Sequence, residues 1–171
     1  HMRIVDDEDT DLLPGQIGEI IVQSERIMSS YWGKPEDTEE AVRDGWLRTG
    51  DLGYYDEKGF VYIADRKNDM IVTGGENVYP KEVEGVLYRH PAVAEAAVIG
   101  VPDSYWVERV HAVVVLKVGV AAVEEEIIDF CRGQMASFKT PKSVEFVAEL
   151  PKSPQGKILK RELRKRFHAG S

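Results

Sequence analysis

The chain has 171 residues, 43% of them hydrophobic, and a formal charge of −8 at pH 7, enough for one ordinary domain or two small ones with a packed core. The acidic balance argues against nucleic acid as the main partner, because phosphate binding relies on clustered Lys and Arg. No apolar stretch approaches the roughly 20 residues of a helical membrane span and no secretory signal pattern is present, so no membrane span and a cytoplasmic address are expected.

His1-Met2 reads as an expression scar and is set aside. Gly18 to Gln23 reads as a strand, and Pro35 to Val42 as a short helix with proline and acids in its first turn. Asp56-Glu57-Lys58-Gly59 is a tight turn between Leu52–Tyr55 and Phe60–Ile63, whose alternation suits a half-buried antiparallel pair. Five polar residues, Asp65 to Asp69, then interrupt the hydrophobic pattern and mark a domain boundary.

Beyond it, Pro80 to Arg89 has Val83, Val86 and Leu87 at helical spacing and stops at His90-Pro91. Val93 to Val101 and Val110 to Val118 read as buried strands. Val123 to Met135 is a second helix, with Ile127, Phe130 and Cys131 on one face and Glu124, Glu125 and Glu126 where acids complement the helix dipole. A strand at Ser143 to Val147 and a helix from Leu159 to Phe167 complete the pattern. The fold class expected is α+β: a small domain of a three-stranded sheet and helices, preceded by a mostly β segment.

Cys131 is the only cysteine, so neither an internal disulfide nor a thiolate cluster is available, and the four histidines lack metal-ligand spacing. No protein metal site is expected. Between Lys139 and Phe167 nine cations face only Glu145, Glu149 and Glu162, which reads either as a solvated helix face or as a surface attractive to ATP or the phosphates of coenzyme A.

Three segments carry the functional signal: Gly45-Trp46-Leu47-Arg48-Thr49-Gly50-Asp51, then Asp65 through Thr73-Gly74-Gly75-Glu76-Asn77, and Pro151-Lys152-Ser153-Pro154-Gln155-Gly156-Lys157-Ile158. The last is too rich in turn formers to continue a strand or helix, and its Lys157 is expected to be mobile. In this order and at these separations they resemble the last three signature motifs of the adenylate-forming acyl-CoA ligases, with similarity from about Arg3 to about Phe167. The Gly-Gly-Glu-Asn wording is most similar to bacterial fatty-acyl and aryl-CoA ligases.

The resemblance implies a carboxy-terminal fragment of a much longer enzyme. Residues 3–65 would be the last β-rich part of the large amino-terminal, AMP-binding domain, 66–69 the hinge, and 70–167 the mobile α+β domain. It implies ATP, with Mg, and coenzyme A as substrates of the parent enzyme together with a carboxylic acid. No bound cofactor is expected in the fragment, which would need its missing amino-terminal domain for activity.

Residue by residue, Asp51 matches the acid that accepts hydrogen bonds from the ribose hydroxyls, although in isolation it would read as a turn-capping Asp. Arg66 matches the arginine near ribose and phosphate, and alone would read as a surface salt-bridge residue. Lys157 matches the catalytic lysine that reaches the substrate carboxylate and α-phosphate. Asn68 falls at the hinge, where the family usually has Asp or Lys. Gly74, Gly75 and Glu76 match the segment whose backbone lines the pantetheine path of coenzyme A, and by themselves read as a hairpin turn. Two other readings stand beside this one: an amino-acid-activating adenylation domain, and a non-catalytic binding module on the same fold. Acetylation of Lys157, which would remove its charge, is a regulatory expectation.

Overall fold

The computed structural model describes residues 1–168, which form two compact units, His1–Asn68 and the residues from Asp69 onward. Among the described residues no helix is long and apolar enough to cross a membrane.

The first unit is one sheet built around a long central strand. Strands β1 (Met2–Val5) and β2 (Gly18–Val22) pair antiparallel, and β2 pairs with β4 (Trp46–Tyr55). Helix α1 (Pro35–Ala41) opens on its proline with Glu36 and Asp37 in the first turn, and buries no residue. The short β3 (Val42–Arg43) returns onto β4 through Asp44-Gly45, both at positive φ, as a two-residue hairpin demands. Strand β5 (Val61–Arg66) lies on β4, and the Asp56 carboxylate closes the connecting turn by accepting from the Lys58 and Phe60 N–H groups at 2.9 Å each. The apolar core is small: Ile4, Val5, Ile20, Ile21 and Leu52 are buried, together with the ionisable Glu19 and Asp65.

A 3₁₀ turn, Lys67–Asp69, leads out of β5. In the second unit, β6 (Ile71–Thr73) and β7 (Glu76–Val78) form a hairpin, and α2 (Pro80–Leu87) follows with Pro80 at its start. The long strands β8 (Val93–Asp103) and β9 (Val107–Leu116) pair antiparallel from Val93↔Leu116 to Asp103↔Val107. Helix α3 (Glu124–Arg132) carries the chain across, so β10 (Ser143–Phe146) joins β9 in parallel. Helix α4 (Lys160–His168) ends the described residues.

The three strands expected from sequence are β8, β9 and β10; the β6–β7 hairpin, joined to β9 at Thr73↔Val107, extends the sheet to five. The central strands are nearly continuous apolar runs because both faces are covered. Ala96 and Val98 of β8, with Val110, Ala112 and Val114 of β9, pack with Val83, Leu87, Ile127 and Cys131 from α2 and α3. The alternate residues Ala97, Ile99, Val101 and Val113 pack with Leu150 and Leu163, the latter from α4. Each such Val, Leu or Ile contributes about 1.5–3 kcal/mol of burial.

Candidate functional site

In the first unit the β4–β5 register sets Asp51 directly opposite Arg66, and Arg66 Nε lies 2.7 Å from Asp51 Oδ1. Local geometry aims the acid: Gly50 takes a left-handed φ of 68°, and Thr49 Oγ1, itself donating to the Ile20 carbonyl at 2.7 Å, accepts from the Asp51 N–H at 3.1 Å. Asp51 is therefore a strand residue beside a kink, whereas its isolated motif suggested a turn cap. Its partner Arg66 is 61% exposed, so with Nε–H given to Asp51 the terminal N–H donors of the planar fork face outward for a ligand. The Arg66 N–H itself is held by Asp65 Oδ1 at 2.8 Å.

A cavity of about 590 Å³ adjoins this pair, with Thr49, Gly50, Arg66, Lys67 and Asn68 among its walls. Asp51 is not among them and connects to the cavity through Arg66. The deep side is a charge network. Buried Glu19 accepts from Arg48 at 2.8 Å and from Lys67 at 3.1 Å, Lys67 also reaches Asp7 at 2.8 Å, and Arg48 also pairs with Asp9. Burial alone would lower the Lys67 pKa, but the hydrogen bonds to Asp7 and Glu19 outweigh it and hold it above the ordinary lysine value. The same Lys67 bond holds Asp7 below the usual carboxylate range.

In the second unit Lys157 sits on a closed turn. Ser153 N donates to the Lys157 carbonyl at 2.8 Å, Gly156 N donates to the Ser153 carbonyl at 2.8 Å, and Lys152 and Ile158 form a β-bridge across the base. Gly156 takes φ 80°, a conformation that favours glycine. The two ends are pinned by Lys152–Glu95 at 2.7 Å and by Lys160–Glu84 at 2.8 Å, the latter pair nearly buried. The loose lysine loop that the turn formers suggested is thus a braced hairpin. Its cation is nonetheless free. Of the nine cations from Lys139 to Arg166, seven meet a carboxylate and Lys142 donates to the Ser137 carbonyl, while the exposed Lys157 side chain has no partner among the described residues. The charge of the basic tail is therefore largely neutralised within its own unit.

Gly74 and Gly75 form the tip of the β6–β7 hairpin with φ 59° and 84°. Their surroundings differ. A Cβ on Gly74 would meet the Trp106 indole at 2.6 Å, and the Gly74 N–H donates to the Trp106 carbonyl at 3.0 Å, whereas a Cβ on Gly75 would meet nothing within 4 Å. Glu76 is exposed opposite Thr73. Trp106 was not singled out from sequence; its only advance signal was an aromatic beside Tyr105 in the β8–β9 turn. The residue after it, Val107, takes φ 71°, an outlier for a β-branched side chain.

The hairpin tip joins β9 at Val107, while the Lys157 turn is anchored on Glu95, opposite Val115. Eight residues of strand separate these levels, about 26 Å along the ribbon. The structure therefore joins Asp51 with Arg66, and sets Lys157 and Gly74-Gly75 at opposite ends of the second unit's sheet. Asn68 is the last residue of the first unit. Among the described residues no three His, Cys, Asp or Glu side chains come together in an arrangement that could hold a metal ion.

The α+β unit with its braced, unpaired lysine follows a sheet that carries an Asp–Arg pair, and within that unit residues 82–157 match the AMP-binding enzyme C-terminal domain. The chain is 56% identical over 150 residues to the long-chain-fatty-acid–CoA ligase of Bacillus subtilis (strain 168), covering 88% of this chain and 27% of the relative. It is 48% identical over 169 residues to the fatty acid–[acyl-carrier-protein] ligase ScoC of Streptomyces coeruleorubidus, covering 99% of this chain and 33% of the relative. Among solved structures, ATP-bound MatB from Rhodopseudomonas palustris superposes with a TM-score of 0.92 at 42% identity, over 98% of this chain and 34% of that one. The chain thus spans about a third or less of the length of the curated relatives it matches.

Proposed function

We propose that this chain is part of an ATP-dependent acyl-CoA ligase of the cytoplasm that activates a carboxylic acid, in our reading a fatty acid, as its acyl-adenylate and passes the acyl group to coenzyme A. The observation that carries the proposal is Lys157, the one cation of its basic segment left without a partner among the described residues. A fixed turn presenting an unneutralised ammonium is suited to an anion that arrives from elsewhere. At about 4 Å from a phosphate such a charge gains on the order of 4 kcal/mol at an effective dielectric near 20, before desolvation.

Asp51 would accept the ribose hydroxyls, as acids do in dinucleotide folds, and Arg66, already oriented by Asp51, would donate to ribose and phosphate. Lys157 would neutralise charge developing on the carboxylate and α-phosphate during adenylation. Magnesium would come with the phosphates of ATP, and no step is assigned to it. In the thioester step the open backbone at Gly75, more than the Trp106-covered Gly74, would border the pantetheine arm, with Glu76 beside it. Since the two loops lie at opposite ends of one sheet, each half-reaction would call for its own pose of the second unit, exchanged by rotation at Asn68. Acetylation of Lys157 would silence the first step.

The nucleotide reading draws support from ATP-bound MatB, and the fatty-acyl reading from the B. subtilis ligase. The ScoC relative keeps a carrier-protein thiol as the second reading for the acceptor. In a full-length ligase that includes this chain, Lys157→Ala should slow adenylation, followed by pyrophosphate exchange, by roughly 100-fold or more. Thioester formation from pre-formed acyl-adenylate should change far less. Equal adenylation rates would refute the assignment, and offering coenzyme A and a carrier protein in parallel decides the acceptor. The 171-residue chain alone should release no AMP from ATP and a fatty acid.

A further inference from the structure

The link between the units is held from both sides. Lys67, next to last in the first unit, reaches Asp7 at 2.8 Å and Glu19 at 3.1 Å, and Glu19 is buried and held in turn by Arg48. Asp69, first in the second unit, accepts from Arg164 Nη2 at 2.6 Å, with both side chains about three-quarters buried. Arg164 is carried by α4, which is itself fixed by the buried Leu163 and by the Lys160–Glu84 pair. Between these anchors stands Asn68, the middle residue of the 3₁₀ turn Lys67–Asp69, whose side chain makes no hydrogen bond among the described residues.

We propose that Lys67 and Asp69 are positioning residues that fasten the two ends of the link to their own units, so that reorientation is confined to the torsions of Asn68. The proposal rests on reading Asn68 as the hinge and adds what limits it. Each residue brings two soft backbone torsions, so a link of three free residues would let the second unit wander, whereas a single free residue restricts it to a few discrete poses. Both anchors suit this duty. Glu19 has left water and depends on its cations, so detaching Lys67 would leave a buried carboxylate less well compensated. A charge-assisted guanidinium–carboxylate bond holds direction as well as distance at Asp69. Asn, in place of a longer charged side chain, tolerates the left-handed region and leaves the pivot unencumbered.

The 171-residue chain itself supplies the test. Nitroxides are placed at Lys58→Cys in the first unit and Val118→Cys in the second, both exposed, while buried Cys131, its thiol pushed up to about 11 by burial, escapes labelling. Pulsed electron spin resonance then reads the distribution of distances between them. Lys67→Met and Arg164→Met should each widen it by about 1.4-fold, the square root of the doubling in free torsions. Lys67→Arg, which keeps the cation, should return the original width, and Asn68→Pro should narrow it. If Lys67→Met fails to fold, Asp7→Asn weakens the same anchor and should widen the distribution in the same direction. Unchanged widths in the anchor variants, with at most a lower melting temperature, overturn the proposal while leaving the hinge intact. No response to Asn68→Pro overturns the hinge reading itself.

Discussion

The two units differ in how much charge they bury beside their aliphatic residues. The first encloses few aliphatic residues around Glu19 and Asp65 and keeps large apolar groups outside, with Trp32, Phe60 and Ile63 all more than half exposed. The second closes an aliphatic interior on both faces of one sheet and keeps its charges at the edge in pairs. Hydrophobic burial is non-directional and tolerates small shifts, while paired charges hold a fixed geometry and lose much when one partner is removed. A unit that fixes Asp51 and Arg66 gains from the second kind of glue.

The contrast is broken most strongly in the second unit. Ile127→Ala, at a fully buried position, should cost about 2–5 kcal/mol, read by chemical denaturation, with amide exchange accelerated in β8 and β9 and unaltered in β2. The counterpart in the first unit is Glu19→Gln. Because Arg48 and Lys67 keep Asp9 and Asp7, its cost should be smaller, about 1–3 kcal/mol. Wild-type stability in that variant would reduce the charge network to surface decoration. Val107→Gly should go the other way, raising stability by roughly 0.5–1 kcal/mol, since relief of a left-handed valine exceeds the added freedom of glycine.

Acid sharpens the comparison through its sign. His111 is buried with Nδ1 2.7 Å from Ser143 Oγ, and burial lowers its pKa from the ordinary 6.5 against the opposing pull of Glu145, with Arg109 reinforcing the shift. The unfolded chain therefore binds the extra proton first, so stability is present above pH 6.5 and declines as pH falls through the lower folded value. Asp7 of the first unit is also depressed, by Lys67, and its contribution persists until pH falls below the ordinary 3.8. On acidification, exchange protection should drop earlier in β9 and β10 than in β1 and β2, and His111→Asn should remove the early phase.

The second unit was largely legible because its information is local. The mostly apolar, valine-rich runs at 93–101 and 110–118 read as covered strands, and the helical spacing of Val83, Val86 and Leu87 marks α2. The parallel approach of β10 was not legible, since pairing direction depends on where α3 carries the chain. In the first unit Gly-Glu-Ile-Ile-Val reads as a strand, but nothing near Glu19 says that its carboxylate is buried: Arg48 and Lys67 lie 29 and 48 residues away. Asp51 and Arg66 were legible as motif members, and their mutual pairing was not, because it follows from the β4–β5 register. For Lys157 the glycine and prolines announced a turn correctly. What braces it, Glu95 and Glu84, again comes from remote segments.

The indole that fills the vacant Cβ position of Gly74 gives the molecule an optical reporter of its own. Trp32 lies wholly in solvent and Trp46 beneath the Arg3 guanidinium, so with both replaced by phenylalanine the remaining emission belongs to Trp106 alone. A thin ligand that threads past the hairpin tip must alter the polarity around that ring. Its arrival would then be visible as a colour change without any label attached.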